Sequence, residues 1–319
     1  MNDVFSGPIG LIVNPRSRRN RERLDRVRAV YRSAIGLIAR EIDGVDDIPT
    51  VLQEFAEAGA TLLTVSGGDG TIQATLTELV ARNPFSLPPP LAVLAGGMTN
   101  VTGRHLGIPG KPDHGLTALL HRRSSGGSMT LLRHPLLSVR ASANDAPQYG
   151  LLLGGASFYE TTQLARRRVH PLGFAQSTAA GAAALLLIGR TLIGMNGHGT
   201  RMRLVGDNGQ LSNGECYLFL ATTLPGLILG ANPFWGKGSA PIRWTWVDSP
   251  PRRFATALLP LIRGRPNDWM ERSGYHSGCA GRLAIDCEAP LLFDGERIEP
   301  VPGEPIVVEG GQALTFARL

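Results

Sequence analysis

Lysine is almost missing from this chain of 319 residues, occurring only at Lys111 and Lys237, although the formal net charge is +6. That scarcity excludes the ordinary lysine-bearing phosphate loop, because no GxxxxGK[ST] pattern occurs and neither lysine follows a suitable strand and turn. Cysteine is also rare. Cys216, Cys279 and Cys287 form no metal-type or redox-type spacing, and their odd number fits a reducing compartment better than a disulfide framework. No apolar run approaches the roughly 20 residues that span a bilayer. The most apolar stretch, Gly181 to Gly189, is closed by Arg190. The opening MNDVFSGPIGLIVNP has no basic leader before its short apolar run, so it is taken as the approach to a strand and not as a signal peptide. His105, His114, His134, His170 and His198 show no HExxH or comparable spacing, and no GxSxG elbow occurs. Neither a histidine-bound metal nor a nucleophile-based hydrolase is expected.

Arginine supplies nearly all the positive charge, which favours anionic partners: a nucleotide, an acidic membrane surface or nucleic acid. The densest group is Arg16, Arg18, Arg19, Arg21, Arg23, Arg26, Arg28 and Arg32, diluted only by Glu22 and Asp25. Most of these are read as a solvated helix face. The first few lie beside a strand end, where phosphate would be met.

Residues 8 to 13 (PIGLIV), 60 to 65 (ATLLTV) and 91 to 95 (LAVLA) are short continuous apolar runs, the pattern of strands buried on both faces of a parallel sheet. Helical spacing over 20–40, 50–58 and 71–81 separates them, and Asn83-Pro84 with Pro88-Pro89-Pro90 breaks the chain before the third strand. Residues 1–125 are expected to form an α/β nucleotide-binding domain. Beyond RRSSGGS the pattern changes to alternation: Leu137, Val139 and Ala141 with Ser138, Arg140 and Ser142; Met202 and Leu204 with Arg201 and Arg203; Ile242, Trp244 and Trp246 with Arg243 and Thr245. Gly206-Asp207-Asn208-Gly209 is a hairpin signal. Residues 126–303 are therefore expected to be a mainly antiparallel β domain with helical insertions near 160–192 and 252–263. Residues 304–319 suggest a last hairpin that returns to the first domain.

Each of the three apolar strands runs into a polar or glycine-rich loop: NPRS at 14–17, SGGDGT at 66–71 and AGGMTN at 95–100. In open α/β sheets, ligands bind outside the carboxyl ends of the strands, so these loops would line one crevice. Gly67, Gly68 and Gly70 let the main chain approach a ligand, and the following helix aims its first N–H groups at an anion. Phosphate is the expected occupant. A carboxylate among these glycines then has three open roles: Asp69 caps the helix, holds Mg²⁺ on phosphate oxygens, or accepts a proton from an attacking hydroxyl.

The ordered set NPRS, SGGDGT, GGMTNVTGRHLG and FDGE (293–296) resembles the diacylglycerol kinase catalytic family, which includes bacterial lipid kinases, sphingosine kinases and ceramide kinases. The resemblance implies an N-terminal nucleotide domain of the NAD kinase/diacylglycerol kinase-like kind, a β-rich lipid-substrate domain, and an active site in the cleft between them. It implies ATP contacts from Asn14, Arg16, Ser66, Gly67, Gly68, Gly70, Thr71, Gly97, Thr99, Asn100 and Arg104. Leu106 and Gly107 also match the third motif. Asp69 or Asp294 would take the proton of the lipid hydroxyl, with Glu296 orienting it or joining Asp69 in binding Mg²⁺. The sequence departs from the family at Arg18, Ala95, Met98 and Val101, and SAPIR at 239–243 replaces an acidic segment associated there with a structural magnesium.

The implied function is an ATP-dependent lipid kinase whose acceptor is a membrane lipid alcohol: a diacylglycerol, a ceramide or a long-chain base. Its place would be the cytoplasm, peripherally on the inner, anionic face of the membrane, with no nucleic-acid partner. An NAD kinase-like enzyme and a non-catalytic lipid-binding protein are the alternatives. Phe234, Trp235, Trp244, Trp246 and LPGLILG at 224–230 fit either a lipid pocket or a β-domain core, and Arg166, Arg167 and Arg168 fit either headgroup contact or a solvated helix face.

Overall fold

The computed structural model describes residues 4–96, 101–160, 199–227 and 230–319. The chain divides into two compact units, Met1–Pro135 with Gln312–Leu319, and Leu136–Gly311.

In the first unit, β1 (Ile9–Val13), β2 (Leu37–Glu41), β3 (Leu62–Gly67) and β4 (Leu91–Ala95) form a parallel sheet in the order β2-β1-β3-β4. The helices of this unit are α1 (Arg18–Arg32), α2 (Ile48–Glu57), α3 (Asp69–Ala81), α4 (Val101–His105) and α5 (Pro112–Ser124). β1, β3 and β4 are buried along their whole length, which is why they appear in the sequence as unbroken apolar runs. α2 turns Ile48, Val51, Leu52 and Phe55 inward, and Phe55 lies so close to Gly10 that a Cβ there would stand 2.5 Å from its ring.

The helix expected over 20–40 stops at Arg32, and Leu37–Glu41 is a strand paired with β1. Being an edge strand, LIARE is only partly buried and lacks the apolar run that marks its neighbours. Its start is set by Gly36 at φ 73°, whose carbonyl accepts a 2.8 Å hydrogen bond from Arg123. The arginines of α1 are not all solvated either. Arg23 makes a bidentate pair with Asp113 of α5 at 2.6 and 2.8 Å, and Arg28 makes another with Glu41 at 2.7 Å on both arms. These pairs fix α1 against its neighbours, and hydrogen bonding from Arg23 holds the Asp113 carboxyl below its ordinary range.

The second unit contains β6 (Gln148–Gly150), β7 (Leu152–Ala156), β8 (Thr200–Gly206), β9 (Gly209–Thr222), β10 (Ile242–Asp248), α6 (Phe254–Arg263), α7 (Asp268–Arg272), β11 (Tyr275–Ala280), β12 (Arg282–Cys287), β13 (Leu291–Phe293) and β14 (Glu296–Ile298). β5 (Thr130–Arg140) enters it, and β15 (Ile306–Arg318) leaves it. Pairing is antiparallel through β14-β13-β7-β9-β8-β12-β15, with β10 joined to β9 and β11. Gly206 faces Gly209 across the expected two-residue hairpin turn.

Two expectations fail here. β10 is not half-buried: Thr245 and Val247 are as inaccessible as Trp246, because α6 covers Val247 with Phe254, Ala257 and Leu261 and the Thr245 hydroxyl is bonded to the Pro233 carbonyl and Ser277 Oγ. The carboxyl-terminal segment is one strand and not a hairpin; Ile306 to Glu309 pair with β12, and Phe316 lies beside Leu91 of β4. Trp244 and Trp246 belong to the apolar core of this unit, and Phe234 is buried too. The helix expected near 160–192 and Arg166–Arg168 lie outside the described residues. Among the described residues, no helix is long and apolar enough to cross a membrane.

Candidate active site

Strand order β2-β1-β3-β4 makes the chain step to opposite sides of β1, so the switch point of the sheet lies between β1 and β3. The loops leaving those two strands are Asn14–Ser17 and Gly67–Gly68. Register brings them level, since Val13 pairs with Ser66 and Gly67 pairs with Ala95.

A hydrogen-bonded clasp joins the loops. Asn14 donates through Nδ2 to Thr71 Oγ1 at 2.8 Å and accepts from the Arg16 N–H at 2.9 Å. The Gly68 N–H donates to Ser17 Oγ at 3.0 Å. Beneath them lies Asn20, fully buried on α1. Its Nδ2 donates to the carbonyls of Asn14 (2.9 Å) and Ser66 (2.7 Å), and its Oδ1 accepts from Ser66 Oγ at 2.8 Å. Gly96, after β4, closes the group: its carbonyl accepts from the Arg19 N–H at 3.0 Å, and a Cβ on it would lie 2.8 Å from both Asn20 Oδ1 and the Gly67 nitrogen. Glycine is required at 96 by close approach, and at 67 because a Cβ would stand 2.6 Å from Thr71 Cβ.

The helix is capped at Gly68 without a side-chain cap, which places Asp69 inside its first turn, half buried. A carboxylate in that turn complements the helix dipole. The first N–H groups of α3 have no partner within the helix and point out of its amino end. With the Asn14–Ser17 and Gly67–Gly68 backbones and Gly96 fixed around it, this end of the sheet suits an anionic, phosphate-bearing ligand. Arg16 is exposed, its guanidinium 4.0 Å from Asp43, and Arg104 is exposed on α4. Gly97, Thr99 and Asn100 lie outside the described residues.

In the second unit, Asp294 and Gly295 are the two central residues of the β13–β14 hairpin, with φ of 46° and 96°. Asp-Gly is the pair that such a two-residue turn selects. The Asp294 carboxylate accepts the N–H of Leu151 at 2.7 Å and that of Leu152 at 3.0 Å, tying the turn to β7. Gly150 sits against it; a Cβ there would be 2.2 Å from Asp294 Oδ2. Glu296 is exposed on β14. Among the described residues, no three His, Cys, Asp or Glu side chains gather as a metal set. In the segment 239–243, Arg243 is half buried, its guanidinium bonded to the Leu224 carbonyl and to Asn232 Oδ1 and lying 4.9 Å from the centre of the Phe234 ring.

Sequence reasoning passed over Asn20, while Ser17 and Gly96 stood only as members of the NPRS and AGGMTN loops without a role of their own. Asn20 lies among arginines on a helix taken as solvated, and its only signal is an uncharged polar residue within that run.

Residues 8–131 match the diacylglycerol kinase catalytic domain. No curated protein matches the chain significantly. Among solved structures, two titled as diacylglycerol kinases from Bacillus anthracis str. Sterne share its fold. One is 18% identical with a TM-score of 0.64, over 97% of this chain and 95% of its own. The other is 19% identical with a TM-score of 0.63, over 98% and 97%. The clasped loops, the glycine turn and Asp69 all fall inside the span that matches the diacylglycerol kinase catalytic domain.

Proposed function

We propose that the protein is an ATP-dependent lipid kinase that transfers the γ-phosphoryl group to the hydroxyl of a membrane lipid alcohol. A kinase of this family implies ATP as donor. The observation that supports the reading most is the clasp: Asn14, Asn20, Ser66 and Thr71 immobilise two strand-end loops around an aspartate at the start of α3. In this reading the loop amides and the amino end of α3 take the phosphates, with Arg16 and Arg104 adding charge. Mg²⁺ enters with ATP as part of the substrate.

Asp69 is the general base. Its carboxylate receives the hydroxyl proton as the lipid oxygen bonds to the γ-phosphorus and the bond to the β–γ bridging oxygen breaks, releasing ADP. Asp294 is a positioning residue, because both of its oxygens already accept main-chain N–H groups.

The test is transfer of labelled γ-phosphate from Mg-ATP to diacylglycerol, ceramide, sphingosine and NAD. One lipid should be labelled by the wild type, and Asp69→Asn should reduce turnover by about 10³-fold or more with unchanged circular dichroism, on the scale of losing a general base. Labelling of NAD alone would replace the reading with an NAD kinase. Full turnover in Asp69→Asn would remove the base from Asp69.

A further inference from the structure

α6 presents two different faces. Phe254, Ala257 and Leu261 pack inward against Tyr217, Val247 and Tyr275. The opposite face carries Ala255, Leu259 and Ile262, with Leu259 54% exposed and Ile262 37% exposed. Positions 255, 259 and 262 follow helical spacing, so these apolar side chains form one outward stripe and are not scattered. Arginines frame it at both ends: Arg252 and Arg253 before the helix, Arg263 in its last turn and Arg265 after it, all four exposed. From Ser249 to Asn267 no acidic residue dilutes them.

The helix is firmly seated, so the stripe is not a loosened core. The Tyr275 hydroxyl donates to the Arg252 carbonyl at 2.8 Å, and the Arg253 guanidinium lies 5.5 Å from the centre of the Trp269 ring. A Cβ at the terminating Gly264 (φ 59°) would stand 2.3 Å from the Asn232 carbonyl oxygen.

We infer that this face of α6 is a docking surface for an anionic phospholipid bilayer, Leu259 and Ile262 entering the acyl boundary while the flanking arginines meet headgroup phosphates. Charge decides the occupant. A symmetric second copy would set four arginines against four, whereas an anionic membrane neutralises them and also accepts exposed leucine and isoleucine side chains. A nucleic acid would satisfy the arginines and leave the apolar stripe unused. The inference rests on the lipid-kinase reading for its context, since it identifies where the enzyme would meet the membrane that contains its acceptor.

The test is co-sedimentation of the full chain with vesicles of phosphatidylglycerol and phosphatidylcholine, against phosphatidylcholine alone. Wild type should bind the anionic vesicles, and the binding should weaken with salt. Replacing two arginines (Arg263→Gln with Arg265→Gln) should weaken it about 25-fold, from about fivefold for each basic side chain at such a surface. Leu259→Asp with Ile262→Asp should abolish it. Both pairs are outward, so both variants should keep the wild-type rate on lipid dispersed in detergent micelles. Unchanged vesicle binding in both variants, no binding by wild type, or a dimer lost in the double aspartate variant would overturn the inference. If wild type fails to phosphorylate any dispersed lipid while vesicle binding still depends on α6, the kinase reading falls and the docking surface stands.

Discussion

Replacing Asn20 by alanine tests whether the clasp, and not the glycine loop alone, shapes the site. The side chain has no exposure and makes three hydrogen bonds, at 2.9, 2.7 and 2.8 Å, to groups on two loops. Two of the orphaned partners are cushioned: the Asn14 carbonyl still accepts from the Ser17 N–H, and the Ser66 carbonyl still accepts from the Asn14 N–H. The Ser66 hydroxyl is not cushioned in this way, because it loses the acceptor at Asn20 Oδ1 in a fully buried place. Three net hydrogen bonds and one stranded hydroxyl amount to about 2–4 kcal/mol. That is a large part of the ~5–15 kcal/mol that stabilises a typical domain.

The assay is hydrogen exchange on peptides covering β3 and the first turns of α3. Opening there should become roughly 30- to 1,000-fold faster, the same free energy expressed as a rate ratio. Peptides from β8–β9 should be unchanged. Adding Ser66→Ala removes the stranded hydroxyl, so the double variant should cost less than the sum of the two single changes by about 1 kcal/mol. Protection within a factor of three of wild type in Asn20→Ala, or strict additivity in the cycle, would refute the clasp.

Three further outcomes follow from particular contacts. Gly150→Ala places a Cβ 2.2 Å from Asp294 Oδ2 and should destabilise the protein by about 1–3 kcal/mol, read as a lowered urea midpoint. Combined with Asp294→Asn, its effect should be less than additive, because both act on the same tie to β7. Glu41, held down to about 2 chiefly by its hydrogen bonds from Arg28, should contribute stability that is complete above the ordinary value of 4.5 and is lost as pH falls toward 2. Glu41→Gln should flatten the urea midpoint against pH in that window, most visibly at low salt, and an unchanged slope would contradict the pair's role.

The parts of the fold legible in the sequence are those where a single physical requirement acts alone. β1, β3 and β4 are buried on both faces and appear as apolar runs, and the turn at Asp207-Asn208 follows from its flanking glycines. β2 was hidden because an edge strand needs no apolar run, and its residues continued the helical spacing of α1. The alternation in β10 suggested one wet face, but Val247 is covered by a helix supplied from residues 254–263, and Thr245 is buried with its hydroxyl bonded to the Pro233 carbonyl, information that no local pattern contains. The site divides in the same way. The Gly67–Thr71 loop could be seen directly; Asn20 could not, because its partners are backbone carbonyls and a hydroxyl brought together only by the parallel sheet.

The two aspartates show why motif and mechanism must be argued separately. Asp294 occupies a turn that an Asp-Gly pair fits on backbone grounds, and its carboxylate ties that turn to the Leu151 and Leu152 amides. Taking up a proton there would discharge the acceptor on which both N–H bonds depend, so a base at this position would loosen its own support in each turnover. Asp69 stands where no comparable turn geometry calls for a carboxylate: glycine caps the helix, and the neighbouring loops are fixed by Asn14, Ser17 and Asn20. The contrast can be measured. Asp294→Asn should lower the urea midpoint while turnover per folded molecule stays within about tenfold of wild type, whereas Asp69→Asn should keep the midpoint and lose about 10³-fold or more in turnover. The reverse pattern would move the base to Asp294 and leave Asp69 as a dipole charge at the head of α3.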